Sequence, residues 1–125
     1  MESMAHPRIL VVDDEEKIVS LLKRQMENAG FEVQTATRGA DALDAVHAQK
    51  PDVMVLDLRM PDMSGNQVCW ILRQVYDAKR LPIVILTAAE LGAEELRQQA
   101  SGANAYLSKP CEFSEVLKAV RSLLP

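Results

Sequence analysis

Cysteine is scarce in this chain: Cys69 and Cys111 are the two it has, and neither a CxxC pair nor any metal-ligand spacing joins them. That argues against a thiolate metal site, and the expectation is two reduced thiols in the cytoplasm. A basic excess is missing too. Lys and Arg number 14 against 18 Asp and Glu, a formal net charge of −4, which argues against nucleic-acid binding by this domain itself. No apolar run approaches the roughly 20 residues that span a membrane, so no membrane partner is expected. Met1 to Pro7 lacks the basic-then-apolar order of a signal peptide. No internal repeat, low-complexity tract or second domain shows in the pattern.

What is present is balanced in amount and ordered in arrangement. The 125 residues are 48% apolar and 26% charged, the balance of a soluble globular protein with one hydrophobic core. One domain over residues 1–125 is expected, with its core from about Arg8 to Leu124.

Three short runs are continuously apolar: Ile9-Leu10-Val11-Val12, Val53-Met54-Val55-Leu56 and Ile83-Val84-Ile85-Leu86. They are too short for helices and rich in branched residues, which suits strands buried on both faces of a parallel sheet. Phe31-Glu32-Val33-Gln34-Thr35 alternates instead, so it reads as an edge strand. Ala105-Tyr106-Leu107 is a fifth candidate. Helical spacing fills the gaps. Ile18, Leu21, Leu22, Met26 and Ala29 share one face, and Gly30 stops that helix. Ala42, Leu43 and Val46 mark a second helix, Val68, Ile71, Leu72 and Val75 a third, and Phe113, Val116, Leu117, Val120 and Leu124 the last. Between Glu90 and Ser101 the stripe is thin, Ala93, Leu96 and Ala100, so a fourth helix there is expected to be weakly anchored. The fold class is α/β: five βα units, a five-stranded parallel sheet wound on both faces.

In such a sheet, ligands bind beyond the carboxyl ends of the strands. Asp13 and Asp14 follow the first strand, Asp57 the third, Thr87 the fourth, and Ser108 and Lys109 the fifth. Three carboxylates, a hydroxyl and an ammonium therefore converge on one rim. Carboxylates pushed together repel unless a cation holds them. Magnesium suits them, because it takes one or two carboxylates, keeps waters and leaves room for a phosphate. Each residue also has a plainer reading. Asp14 could cap a helix, with Glu15 and Glu16 in its first turn. Lys109 could be a solvated loop lysine, Thr87 a helix cap, and Tyr106 a half-buried aromatic at a sheet edge. Lys109-Pro110 is open to either peptide isomer.

Taken together the motifs resemble one family. They are Ile9-Leu10-Val11-Val12-Asp13-Asp14-Glu15, Asp57-Leu58-Arg59-Met60-Pro61-Asp62-Met63-Ser64-Gly65, Leu86-Thr87-Ala88, and Gly102-Ala103 with Tyr106 and Lys109-Pro110. In that order the chain resembles the receiver domain of two-component response regulators, over nearly its whole length. The resemblance implies a flavodoxin-like fold with strand order 2-1-3-4-5. It implies that Asp57 accepts a phosphoryl group from a phosphohistidine on a sensor histidine kinase or phosphotransfer protein. Asp14 and Asp57 would ligate Mg²⁺ directly, Asp13 through water, and the Arg59 backbone carbonyl would add a ligand. Thr87 and Lys109 would contact the phosphoryl oxygens. Tyr106 would change rotamer as Thr87 is drawn toward the new charge, a shift between two populated states. Such a domain is a signalling switch rather than an enzyme, its chemistry limited to gaining and losing the phosphoryl group at Asp57.

Two positions tune phosphoryl lifetime in that family, here Arg59 and Ala89. Arg59 could cover the group or pair with Glu90, and Ala89 cannot orient a water, so a long-lived phosphorylated state is expected. Docking or homodimer contacts are expected on the 90–124 face, through Glu94, Glu95, Arg97, Lys118 and Arg121. Three other readings compete. A flavin-binding domain needs a hydroxyl- and glycine-rich loop where this chain has Asp13-Asp14-Glu15-Glu16. An aspartate-nucleophile phosphatase wants an aspartate where Arg59 stands. A pseudo-receiver that only docks partners would not need the complete set of acids, hydroxyl and lysine.

Overall fold

A computed structural model of the chain describes residues 6–87 and 102–125. The expected helix between Glu90 and Ser101 lies outside the described residues, as do Ala89, Glu94, Glu95 and Arg97. Within them the order is β1 (Arg8–Val12), α1 (Glu16–Asn28), β2 (Glu32–Ala36), α2 (Gly39–Ala48), β3 (Val53–Leu56), α3 (Gly65–Arg73), β4 (Ile83–Thr87), β5 (Ala105–Ser108) and α4 (Phe113–Ser122).

All strand pairs are parallel, in the order β2-β1-β3-β4-β5. Val12 stands level with Ala36 on one side and Leu56 on the other, Leu56 with Ile85, and Thr87 with Ser108. The strands therefore end together, and whatever follows them emerges on one rim. The apolar runs occupy the three middle places and the alternating strand β2 an edge, as their patterns require.

Strand periodicity sorts the core into two halves. Leu10, Val12, Met54, Leu56, Ile83 and Ile85 pack with α2 and α3 through Ala42, Val46, Val68, Cys69 and Leu72. Ile9, Val11, Val53, Val55, Val84 and Leu86 pack with α1 and α4 through Leu22, Met26, Val116 and Val120. Each such side chain contributes about 1.5–3 kcal/mol by leaving water. A one-residue slip in β1 would send every one of its side chains to the wrong half.

Two helical stripes differ from expectation. On α1 the buried residues are Val19, Leu22 and Met26, and Leu21 is 48% exposed. At 100° per residue Leu21 falls on the flank of that stripe. On α3 the buried face is Gly65, Val68, Cys69 and Leu72. Ile71 falls on its flank, and Val75 lies beyond the helix end and is exposed. Gly30 follows α1 with a φ of 99°, the left-handed conformation expected of a stop glycine.

Candidate functional site

The site is an extension of the sheet. Asp13 is the first residue past β1, and its N–H donates to the Ala36 carbonyl at 3.2 Å. Asp57 is the first past β3, and its N–H donates to the Val12 carbonyl at 3.0 Å. Both backbones thus continue the ladder by one step, which fixes where their carboxylates start. Both residues are buried, Asp13 2% and Asp57 6% exposed, and they are the polar or charged residues so enclosed among the described ones. Asp14 sits beside them on the exposed side. Carboxylate oxygens of Asp13, Asp14 and Asp57 all lie within 4.8 Å of one another.

Lys109 enters from the far edge of the sheet. Its Nζ donates to Asp13 Oδ2 at 2.5 Å and stands 3.9 Å from Asp57 Oδ2. The solvated-lysine reading is overturned, because the Lys109 side chain is 15% exposed and bridges two buried acids. The Lys109-Pro110 bond is cis. The cap reading of Asp14 is also corrected. Helix α1 begins at Glu16 with Glu15 at its N-cap and no side-chain cap bond. It is Asp13 that turns inward, its Oδ1 accepting from the Glu15 N–H at 3.0 Å. That leaves the Asp14 carboxylate to the acidic group.

Two like charges 4.8 Å apart repel by about 3–4 kcal/mol at an effective dielectric of 20. Three carboxylates less one ammonium leave a formal charge of −2. One divalent cation with a taste for hard oxygen donors matches both that charge and that donor set. The residues present therefore fit Mg²⁺.

Thr87 closes β4 and pairs with Ser108, which puts its backbone on the same rim; its side chain lies outside the described residues. Tyr106 is half-buried in β5, an edge strand, with its hydroxyl donating to the Ala103 carbonyl at 3.4 Å. Arg59 is exposed in the loop after Asp57. An open cleft of about 630 Å³ flanks the acids, lined by Asp14, Glu15, Thr37, Arg38 and Pro61 among others. A more apolar groove of about 300 Å³ runs from Lys109 and Pro110 along Leu21, Phe113 and Val116.

The loop from Asp57 to Gly65 is held by contacts that sequence reasoning did not assign. A Cβ on Gly65 would lie 2.2 Å from the Asp57 carbonyl oxygen and 2.9 Å from Leu58 Cα. The Gly65 N–H donates to the Leu58 carbonyl at 2.8 Å. Ser64 and Gln67 form a capping box on α3. Asp62 accepts from the Gly39 and Ala40 N–H groups, both at 2.8 Å. Those bonds, Ala40's first, hold the Asp62 carboxyl below its ordinary pKa. A Ser-x-x-Gln spacing could have revealed the box; nothing local reveals the other two.

Comparison with known proteins decides the family. The model of the response regulator receiver domain matches residues 9–121. The chain belongs to the response regulator receiver family. This receiver domain is 40% identical over 118 residues to the phosphate regulon transcriptional regulatory protein PhoB of Rhizobium meliloti, covering 94% of this chain and 52% of that protein. It is 40% identical over 117 residues to the alkaline phosphatase synthesis transcriptional regulatory protein PhoP of Bacillus subtilis, covering 94% and 48%. The receiver domain therefore spans about half the length of the curated relatives it matches. Among solved structures, response regulator protein TrrA from Thermotoga maritima in complex with Mg²⁺-BeF superposes with a TM-score of 0.84 at 36% identity, covering 94% of this chain and 99% of that one. Chemotaxis response regulator CheY4 of Vibrio cholerae gives 0.85 at 30% identity, covering 95% and 99%. A receiver domain is a signalling switch, and its fold here is the one the resemblance implies.

Proposed function

We propose that this receiver domain accepts a phosphoryl group on Asp57 from a phosphohistidine of a sensor histidine kinase or phosphotransfer protein. The observation that carries the reading is the meeting of Asp13, Asp14 and Asp57 within 4.8 Å, with Lys109 bridging Asp13 and Asp57. An Asp57 carboxylate oxygen attacks phosphorus, the nitrogen–phosphorus bond breaks, and its electron pair stays on the imidazole. The product is an acyl phosphate. Such a transfer depends on in-line placement and charge neutralisation. Asp13, Asp14, Asp57 and the Arg59 carbonyl would hold Mg²⁺, which neutralises charge on the phosphoryl oxygens when bound. Lys109 supplies a second positive charge, 3.9 Å from Asp57 Oδ2. Hydrolysis at Asp57 returns the domain to its resting state.

The groove beside Lys109 fits the donor protein. It includes Lys109, which stands 3.9 Å from Asp57 Oδ2, and its apolar lining of Leu21, Pro110 and Phe113 suits a helix of a partner that must bring a phosphohistidine to that residue. Residues 1–125 are read as one receiver domain with its core at about 8–124, and a cytoplasmic location suits a phosphohistidine donor. Thr87 and Tyr106 form the switch that responds to the new charge, Thr87 moving toward it and Tyr106 changing rotamer, and Arg59 and Ala89 set the lifetime. Output contacts use the 90–124 face, where Lys118 is exposed and Arg121 donates to the Ala29 carbonyl at 3.3 Å.

The test is incubation with a small-molecule phosphodonor, with and without Mg²⁺, followed by intact mass. One added phosphoryl group that needs the metal and is lost in Asp57→Asn supports the reading. Labelling that survives Asp57→Asn contradicts it. No labelling under any condition would favour a docking domain that is not phosphorylated.

A further inference from the structure

The loop that carries Asp57 reaches across to a helix at the edge of the site. Helix α2 starts at Gly39, and its own N-cap, Arg38, offers no side-chain acceptor. The first N–H groups of a helix need acceptors. Here Asp62 supplies two from another part of the chain, Oδ1 to Gly39 and Oδ2 to Ala40. A carboxylate at a helix N-terminus is also favoured by the helix dipole.

Next to this bond the packing is close. A Cβ on Gly39 would lie 2.3 Å from Met63 Cγ and 3.1 Å from Val68 Cγ2. So Asp62 and Met63 seat together on the first turn of α2. At its other end the loop is fixed by Gly65 against the Asp57 carbonyl and by the Leu58–Gly65 hydrogen bond. Arg59, Met60 and Pro61 span the gap between these two anchors, and Pro61 faces the cleft beside Asp14.

We infer that Asp62 is a positioning residue for the phosphoacceptor loop: by binding the α2 N-terminus it fixes where the Arg59 carbonyl stands relative to Asp14 and Asp57. The inference rests on the proposed role of that carbonyl as a metal ligand. It makes α2 part of the site's frame, although α2 gives no side chain to the acids. It also separates two kinds of loop residue. Asp62 and Met63 are bound to α2, whereas Arg59 points to solvent and is open to vary.

The experiment uses Mg²⁺ alone as probe, with binding followed by Trp70 fluorescence or calorimetry, and metal-free amide hydrogen exchange as a second readout. Asp62→Ala is expected to weaken Mg²⁺ binding about tenfold, the low end for a group that orients a metal ligand. Asp62→Asn keeps one acceptor oxygen and is expected to fall between Asp62→Ala and wild type. Gly39→Ala pushes on Met63 from the other side and should weaken binding in the same direction. Val120→Ala, a destabilised control on the opposite half of the core, should leave Mg²⁺ affinity unchanged. Exchange at Gly65, whose N–H closes the loop on the Leu58 carbonyl, should speed up in Asp62→Ala and Gly39→Ala but not in the control. Unchanged Mg²⁺ affinity in both Asp62→Ala and Gly39→Ala overturns the inference, and so does unchanged exchange at Gly65. A wild-type domain that binds no Mg²⁺ overturns the metal reading instead, and the exchange result still decides whether Asp62 fixes the loop.

Discussion

Lys109 Nζ and Asp13 Oδ2 meet at 2.5 Å although 96 positions separate them in the chain. One follows the edge strand β5 and the other the interior strand β1, with β3 and β4 lying between them in the sheet. It holds the ammonium 3.9 Å from Asp57 Oδ2. A positive charge is thus kept near the acceptor without closing over it.

Replacing Lys109 by methionine removes that charge and keeps the stem. Mg²⁺ should then bind more tightly, because a competing cation has gone. Labelling by a small phosphodonor should nevertheless slow by about tenfold or more, since one neutralising group on the phosphoryl oxygens is lost. Calorimetry and intact mass over time check the two halves separately. Loss of both metal and labelling would show that Lys109 matters only to folding.

Gly65→Ala should be costly. Its Cβ would meet backbone, the Asp57 carbonyl oxygen at 2.2 Å, and backbone cannot move aside as a flexible side chain can. Overpacking of this kind costs about 1–3 kcal/mol, read as a lower urea midpoint. Labelling at Asp57 should fall further than stability alone explains, because the acceptor's own carbonyl is displaced.

Acid should weaken the tie between Asp62 and α2. The Asp62 carboxyl is held below its ordinary value of 3.8 by the Ala40 and Gly39 N–H bonds. A group whose folded pKa lies below its unfolded one stabilises the fold above the unfolded value. That contribution is lost as pH falls through the folded value. Urea midpoints of wild type and Asp62→Asn should therefore be separate above 3.8 and converge as pH falls through the lowered pKa of Asp62. A difference between them that does not change with pH would remove Asp62 from the acid limb.

Leu21 separates partner docking from chemistry. It is 48% exposed, so Leu21→Ala should change stability by no more than about 0.5 kcal/mol. Small-molecule labelling should be unchanged. Transfer from a phosphohistidine protein should slow, because Leu21 lines the groove beside Lys109. Equal transfer rates would move the docking surface elsewhere.

How much of this the chain announces depends on how far each contact reaches. The strands β1, β3 and β4 are legible because burial on both faces needs an unbroken apolar run. The rim follows from them, since parallel strands of matched register must end on one side. That is why Asp13, Asp57 and Lys109 are legible as rim residues in the sequence alone. The helical flanks were less legible: Leu21 and Ile71 are apolar, and only the neighbouring helices decide which edge of a stripe is covered. Least legible are the ties between distant segments. Asp62 caps a helix 22 and 23 positions away. Arg73 binds the Leu81 and Gly102 carbonyls and Asn104 Oδ1, at 2.8, 2.9 and 3.0 Å, joining the end of α3 to the strand entrances. No periodicity encodes such a pair, because each partner is ordinary in its own surroundings.

The most direct test of the central claim chemically marks the acceptor. The domain is phosphorylated with a small donor and Mg²⁺, reduced with borohydride, which converts an aspartyl phosphate to homoserine, and mapped by peptide mass spectrometry. Homoserine at position 57, absent without Mg²⁺, is the predicted result. Homoserine at Asp13, Asp14 or another carboxylate, with Asp57 intact, would contradict it.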